Sequence, residues 1–149
     1  MVLYREIPLM KKIPPQVLLG AYTEGVFPMA EDGEIYWVSP TLRGIIPLDE
    51  RFHIPKGLRR SLKKRPFAIR WNTAFREVMQ SCSDRVETWI DESIIESYCD
   101  LHDLGFAHSV ECWDEEGLQG GLYGIRIEGA FFGESMFSRK TDASKIAMV

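Results

Sequence analysis

The sequence lacks the features that mark several large classes of protein. Its three cysteines are too few and too far apart for a disulfide framework or for a zinc site with C-x-x-C spacing. No apolar run approaches the ~18–20 residues that cross a membrane. The N-terminal segment is interrupted by three prolines and several charges, and so lacks the apolar core of a signal peptide. We expect a cytoplasmic protein with reduced thiols and no membrane partner.

Acidic residues are absent from one long stretch of the chain. The 149 residues carry a formal net charge of -4, yet residues 51–76 contain nine of the 18 Lys and Arg and no Asp or Glu. The rest of the chain therefore carries all 22 acidic residues. Concentrated positive charge on an acidic body predicts a polyanionic partner at that segment.

The length and the 45% apolar content fit one globular domain with a small appendage. Hydrophobic spacing predicts four helices, which begin near Pro15, Pro55, Asn72 and Asp91. Asn72 and Asp91 are predicted N-caps because their side chains can accept hydrogen bonds from the first helical turn. Between the first two helices we expect an apolar corner at residues 26–28, a turn at residues 32–33 and strands at residues 35–38 and 44–48.

Strand patterns dominate the second half of the chain. The predicted strands are residues 67–71, 107–113, 118–127 and 130–137, with alternating burial in the second of them. This order, with antiparallel strands after two helices, predicts an α+β sheet domain. A last helix from Ala143 has only seven residues, too few to cover the sheet. We therefore expect the sheet domain to be truncated at its C-terminus, and a naturally short form is the alternative.

The basic segment is predicted to form an amphipathic helix. Leu58 and Leu62 would face inward, while basic residues recur at helical spacing along the outer side: Lys56, Arg59, Arg60, Lys63 and Lys64. A solvated helix face usually mixes both signs of charge, because i, i+4 pairs then stabilise it. The pattern favours contact with nucleic-acid phosphates, and a solvated surface is the alternative.

Two further segments each have a structural and a functional interpretation. Residues 120–124, GGLYG, form either a tightly packed strand or a point where a ligand approaches the backbone. Residues 131–137, FFGESMF, place Glu134 among apolar side chains, where a carboxylate is costly unless it is partnered. Glu134 is then either a rim residue or a carboxylate that holds an ammonium group beside an apolar pocket. Strand alternation predicts Glu134 on one side with Phe132 and Met136, and the other side formed by Phe131, Gly133, Ser135 and Phe137.

Six strings occur in an order that resembles one known family. They are GVFPMAEDGEIYWVSP, FHIPKGLRRSLKKRPF, ETWI, LHDLGFAHSVECW, GGLYG and FFGESMFSRKTDASK. Together they resemble the bacterial leucyl/phenylalanyl-tRNA–protein transferases over nearly the whole chain. The resemblance implies an enzyme that moves Leu or Phe from aminoacyl-tRNA to a protein N-terminus that begins with Arg or Lys, which creates an N-end rule degradation signal. It also implies a small N-terminal α/β domain at residues 1–50 and a larger GNAT-like (acetyltransferase-like) domain with an antiparallel sheet at residues 51–149.

The resemblance also assigns roles to residues. Lys56, Arg60, Lys63 and Lys64 would bind the tRNA acceptor stem. Leu122, Phe131, Gly133 and Met136 would line the apolar pocket for the Leu or Phe side chain, and such a pocket also admits some Met. Glu134 would be the catalytic residue, holding the substrate amino group at that pocket. Trp89 and Tyr98 would lie near the aminoacyl adenosine and stack on its base.

The implied reaction is aminolysis of an activated ester, for which we expect neither a metal nor another cofactor. Two departures from the family pattern occur: Met29 replaces the Trp of the usual FPW string, and the chain ends before the family's Asp-x-Gln element. The alternatives are a fragment that binds aminoacyl-tRNA without transfer, an unstable fragment, and an acyl-CoA-dependent N-acyltransferase. An acyl-CoA-dependent enzyme would need a Q/R-x-x-G-x-G/A loop to bind the pyrophosphate of its cofactor. This sequence contains no such loop. We expect a monomer whose partners are leucyl- or phenylalanyl-tRNA and acceptor proteins.

Overall fold

The computed structural model describes residues 2–4 and 12–149, which form five helices and seven strands. The helices are α1 (Pro15–Thr23), α2 (Lys56–Lys63), α3 (Phe75–Ser83), α4 (Glu92–Asp103) and α5 (Ala143–Met148). The strands are β1 (Val2–Tyr4), β2 (Phe27–Glu31), β3 (Glu34–Ser39), β4 (Ala68–Trp71), β5 (Ala107–Asp114), β6 (Gly117–Ile127) and β7 (Ala130–Ser138).

The strands form two antiparallel sheets. The smaller sheet has the order β1-β3-β2, and the larger has the order β4-β5-β6-β7. The β2–β3 hairpin closes through Asp32 and Gly33, both with positive φ, as two-residue hairpin turns require. The predicted α+β class and the antiparallel second sheet are confirmed.

The larger sheet separates two hydrophobic cores. On one side, which we call the α3/α4 face, the sheet packs against α1, α3 and α4; this core includes Leu18, Tyr22, Val78, Met79, Tyr98, Leu101, Tyr123 and Ile125. On the other side, the α2/α5 face, the core contains Val110, Cys112, Leu122, Ala143, Ile146 and Ala147, with Leu58, Leu62, Phe67 and Met136 packed against it. Gly120 lets α5 approach the sheet, because a Cβ there would lie 2.5 Å from the Cβ of Ala143.

Helix α4 begins and ends where its sequence predicts. The Asp91 carboxylate accepts a hydrogen bond from the backbone N–H of Ile94 at 2.9 Å, which satisfies one of the free donors of the first turn. Gly105, with φ +82, follows the last turn in the left-handed conformation that glycine adopts without strain. The apolar side of the helix is buried against the α3/α4 face, as its spacing predicted.

Asn72 is not the N-cap that the sequence predicts. Helix α3 begins later, at Phe75, and Asn72 has a left-handed backbone with φ +56. Its side-chain oxygen instead accepts the backbone N–H of Ser109 at 2.9 Å, which ties the end of β4 to β5. The Glu111 carboxylate takes over the start of α3, accepting the N–H groups of Thr73 and Ala74 at 2.9 Å each. The acceptor at the start of α3 is therefore Glu111, which is distant in the chain, and not the neighbouring Asn72.

Three other local predictions are wrong. Residues 26–28 are not an apolar corner, because Phe27 begins β2 and pairs with β3. Residues 44–48 form no strand: Ile45 and Leu48 are 86% and 81% exposed, and none of the described strands pairs with this segment. Burial in β5 does not alternate, because residues 109–112 lie between two covered faces of the sheet.

Within residues 2–4 and 12–149, no helix is long and apolar enough to cross a membrane. The same residues contain no group of three or more His, Cys, Asp or Glu side chains placed to hold a metal ion. Cys82, Cys99 and Cys112 are free thiols, and burial raises the pKa of all three.

Candidate active site on the larger sheet

The four residues predicted to line an apolar pocket lie together on the α2/α5 face. Strand pairing places Leu122 opposite Met136 and Gly124 opposite Gly133, and Phe131 comes next along the same side. The Phe131 ring lies against the backbone of Gly124, since a Cβ on Gly124 would be 2.6 Å from Cζ of Phe131. A Cβ on Gly133 would meet no atom within 4 Å, so open space adjoins that residue. The sheet register therefore brings the predicted set together.

Glu134 lies on the opposite side of the sheet from Met136, which corrects the alternation predicted from sequence. Tyr123 pairs with Ser135 and Gly124 pairs with Gly133, so Glu134 is the extra residue of a β-bulge in β7. The bulge shifts the alternation by one residue, and Glu134 contacts Tyr22 in the α3/α4 core while Met136 packs in the other core. For the same reason, Phe131 and Gly133 do not lie on the side of Ser135 and Phe137.

Two buried tyrosines form a hydrogen-bonded chain with the Glu134 carboxylate. The hydroxyl groups of Tyr22 and Tyr98 are 2.5 Å apart, and Tyr22 also bonds to Glu134. An ionised carboxylate only accepts, so Tyr22 then donates to Glu134 and Tyr98 donates to Tyr22. Burial raises the pKa of Glu134 to about 7, against the opposing effects of the Tyr22 hydrogen bond and the charge of Arg43. The carboxyl group therefore titrates near neutral pH.

Replacing Glu134 with glutamine is expected to change how stability depends on pH. The wild-type pKa of about 7 exceeds the ordinary 4.5, so in this window the folded state holds a proton that the unfolded state has released. The free energy of unfolding of the wild type therefore falls as pH rises through the window, by at most about 3 kcal/mol. Urea unfolding at several pH values measures how the free energy of unfolding changes with pH. Glu134→Gln should lose this decrease, and the control Glu128→Gln, on an exposed turn, should keep it. The same decrease in Glu134→Gln would contradict the raised pKa.

Trp89 and Tyr98 lie at the α3/α4 face, away from the apolar pocket. Trp89 is partly exposed, and its backbone carbonyl accepts the N–H of Ala30 in β2 at 3.0 Å. Tyr98 is fully buried, with its hydroxyl bonded to Tyr22. Stacking on a base was predicted for both rings. The buried ring of Tyr98 cannot reach a base and has a packing and hydrogen-bonding role, whereas the partly exposed ring of Trp89 can stack.

The predicted basic helix forms, with its charges exposed. The side chains of Leu58 and Leu62 point inward, and the outer side carries exposed Lys56, Arg60, Lys63 and Lys64. In the part of the chain that the structure describes, none of these four cations pairs with a carboxylate. Unpaired cations on an exposed helix are suited to phosphate contacts.

Sequence patterns did not reveal three polar features beside these residues. They are the Tyr22–Tyr98 pair, the bond between Asn72 and His108, and the buried Glu111 carboxylate. Tyr22 and Tyr98 occur at core spacing in their helices, so their hydroxyl partners could be seen only after the helices packed. Glu111 did carry a signal, because it stands between Val110 and Cys112 in an apolar strand, where a carboxylate needs donors.

The fold and these residues define a class of mixed helix-and-strand protein in which one face of an antiparallel sheet carries apolar side chains and an exposed basic helix packs on the same face. Two family models match the chain. Residues 45–149 match the leucyl/phenylalanyl-tRNA protein transferase model, and residues 12–41 match the N-terminal domain model of the same family. The chain belongs to the leucyl/phenylalanyl-tRNA–protein transferases, a family of aminoacyltransferases, as its motifs predicted.

Three curated relatives bear the name leucyl/phenylalanyl-tRNA–protein transferase. The protein of Akkermansia muciniphila is 59% identical over 143 residues, which cover 93% of this chain and 74% of the relative. That of Herpetosiphon aurantiacus is 54% identical over 139 residues, or 93% of this chain and 73% of the relative. That of Paramagnetospirillum magneticum is 53% identical over 147 residues, or 94% and 70%.

Proposed function

We propose that this chain transfers leucine or phenylalanine, and less efficiently methionine, from aminoacyl-tRNA to the N-terminal Arg or Lys of acceptor proteins. One observation carries the proposal: the basic helix and the apolar pocket lie on the same face of the larger sheet. Leu58 and Leu62 of α2 pack against the core that contains Leu122 and Met136. A tRNA whose phosphates contact the outer side of α2 then has its aminoacyl end near the pocket.

The proposed reaction is aminolysis of the ester that joins the amino acid to tRNA. The acceptor amine nitrogen bonds to the carbonyl carbon, the ester C–O bond breaks, and the ribose oxygen leaves with a proton. Alignment of the two reactants is the main contribution required of the protein. We assign Glu134 as the catalytic residue that holds the amino group. Its side chain lies on the other face of the sheet from Leu122 and Met136, but it adjoins Gly133 in β7, an edge strand among the described strands, and its carboxyl group titrates near neutral pH. Tyr22 and Tyr98 position its carboxylate.

The remaining parts of the proposal follow from the family. Trp89 stacks on the terminal adenosine, and the larger sheet with α3 and α4 forms a GNAT-like domain that begins near residue 51. The enzyme works in the cytoplasm as a monomer without a cofactor, and its products are N-end rule degradation signals. The partly exposed ring of Trp89 supports the stacking role.

Transfer of labelled leucine from leucyl-tRNA to a peptide that begins with lysine tests the proposal. The same peptide with an acetylated N-terminus is the control, because it lacks the nucleophilic amine. Labelling of the free peptide alone is the expected result. Binding of tRNA without transfer would instead support the non-catalytic alternative, and binding of neither tRNA nor peptide would overturn both.

Replacing Gly133 with valine is expected to block the pocket without unfolding the protein. The open space beside Gly133 accommodates the new side chain, so the fold keeps its stability while the space for the substrate side chain is lost. Leucine transfer should fall by about tenfold or more. Gly129→Val, in an exposed turn with equally open space, is the matched control and should keep both activity and melting temperature. Unchanged leucine transfer by Gly133→Val would place the pocket elsewhere.

A further inference from the structure

His108 lies on the same sheet face as the apolar pocket, although the reaction proposed for that pocket gives it no role. It pairs with Gly124 across β5 and β6, and Gly124 pairs with Gly133 across β6 and β7. Residues that pair directly in a sheet project to the same side. The His108 side chain therefore lies on the α2/α5 face, beside the position where the Phe131 ring contacts Gly124.

The hydrogen bonds around His108 determine which ring nitrogen carries the proton. The side-chain oxygen of Asn72 accepts the backbone N–H of Ser109 at 2.9 Å, so its nitrogen is the atom that faces His108. That nitrogen lies 3.0 Å from Nδ1 of His108 and can only donate. In the neutral imidazole, Nδ1 is then the acceptor and the proton is on Nε2.

This Nε2–H donor has no hydrogen-bond partner among the residues that the structure describes. Among the described residues, Nε2 of His108 and the hydroxyl of Tyr123 are the two buried side-chain atoms without a hydrogen bond. Leaving a buried donor unsatisfied is unfavourable, and such groups in native proteins usually have a ligand, a water or a functional reason. Here the donor has a fixed tautomer, and it lies on the same sheet face as Gly133, beside which there is open space.

We infer that Nε2–H of His108 donates a hydrogen bond to the carbonyl oxygen of the aminoacyl ester. This inference rests on the proposed function, in which the amino acid side chain occupies the adjoining pocket. The oxygen gains negative charge when the amine attacks the carbonyl carbon, and it returns to a carbonyl when the ester C–O bond breaks. His108 transfers no proton in this step. A neutral donor fixed in advance stabilises the transition state more than the ground state.

Asn72 is a positioning residue for His108, and its unusual backbone fits that role. Non-glycine residues seldom adopt positive φ, although asparagine does so more readily than most. At φ +56 the Asn72 amide reaches both Ser109 and His108. Glycine tolerates the same backbone without strain. Asn72→Gly therefore removes the amide that selects the tautomer and leaves the chain path intact.

Entry of the carbonyl requires the Phe131 ring to move. Phe131 is 43% exposed. Its end lies over Gly124, directly across from His108. A rotation of the ring by the entering group opens a path to Nε2 and places aromatic surface against the substrate.

Binding of two stable adenosine derivatives tests the inference. One carries leucine through a 3′-amide and so retains the carbonyl, and the other has that carbonyl reduced to a methylene. Wild type should prefer the carbonyl compound by about tenfold. The preference should disappear in His108→Phe, survive in part in His108→Gln, whose side-chain amide can donate, and weaken in Asn72→Gly. Comparing each variant with both compounds isolates the contact with the carbonyl.

Transfer kinetics supply an independent readout. His108→Phe should lower kcat by about 10²-fold and change KM for leucyl-tRNA little, because the bond strengthens in the transition state. Melting temperatures identify any variant that fails to fold. If His108→Phe does not fold, the carbonyl preferences of His108→Gln and Asn72→Gly test the inference in its place. An unchanged carbonyl preference in folded variants would overturn this inference alone. If wild type bound neither compound and transferred no leucine, the proposed function would fail, and this inference with it.

Discussion

Replacing Arg60, Lys63 and Lys64 together by glutamate is expected to weaken binding of leucine tRNA by about 10²–10³-fold at moderate salt. The three side chains are exposed on α2 and make no ion pair with a carboxylate in the described structure, so their charges are available to phosphates. The slope of log affinity against log salt concentration should become shallower by about one for each phosphate contact that is lost. A titration of labelled tRNA at several salt concentrations measures both effects.

The control for this experiment is a double variant on the other side of the sheet. Lys12 and Arg76 pair with Asp100, Glu92 and Glu96 near α4. Lys12→Glu with Arg76→Glu also makes the protein more acidic, but it should leave tRNA affinity within about threefold, because charges beyond a Debye length are largely screened. Equal reductions in affinity for the two variants would mean that net charge, and not the α2 surface, determines binding. Unchanged affinity and salt slope in the α2 variant would remove its proposed role.

Glu111→Gln is expected to lower the free energy of unfolding by about 3–5 kcal/mol. The carboxylate is fully buried and accepts from the N–H groups of Thr73 and Ala74 at 2.9 Å, from Ser109 Oγ at 2.7 Å and from Trp113 Nε1 at 3.1 Å. The Thr73 hydroxyl donates as well. A glutamine offers one oxygen to these donors and turns an NH2 group toward the rest. The variant therefore leaves buried donors unpaired at the start of α3.

Urea unfolding followed by circular dichroism measures this destabilisation. Glu115→Gln, in the exposed turn before β6, should change stability by less than about 0.5 kcal/mol. An unchanged unfolding midpoint for Glu111→Gln would show that the carboxylate network contributes little to the fold.

The pH dependence of stability provides a second test of Glu111. Burial alone would raise the pKa of Glu111, but the bonds from Thr73, Ala74, Ser109 and Trp113 together lower it below the ordinary 4.5. The stability it contributes is present above pH 4.5 and is lost as pH falls through the lowered pKa, because the unfolded state takes up the proton first. Glu111→Gln should lack this acid-side decrease. Its sign is opposite to that of Glu134, whose pKa is raised.

Features that depend on neighbours in the chain could be predicted without the structure. Each of these features involves residues that are close together in the chain. They are the Asp91 cap and the Gly105 end of α4, the turn at Asp32 and Gly33, and the inward leucines of α2. The acid-free basic segment and the family motifs are likewise properties of the chain itself. Such signals need no knowledge of what packs against them.

The tertiary structure decided every feature that involves a distant partner. Asn72 is a residue type favoured at N-caps, yet its side-chain amide bonds to Ser109 and His108. The N–H group of Thr73, before α3, donates instead to the Glu111 carboxylate on β5. Residues 44–48 have strand-forming side chains, but none of the strands that the structure describes pairs with them. Local preference is worth only a fraction of the energy that a buried long-range hydrogen bond or a packed face contributes.

The bulge at Glu134 had the largest effect on the site. From the sequence alone, Leu122, Phe131, Gly133, Glu134 and Met136 were predicted to belong to the site, through the resemblance of the strings GGLYG and FFGESMFSRKTDASK to the family. The sequence could not determine the side of the sheet to which each one points, because side-chain direction in a strand has a period of two and one extra residue reverses it. That extra residue follows from the pairing of β6 with β7. Only the assembled sheet therefore separates the carboxylate from the apolar pocket and places His108 beside it.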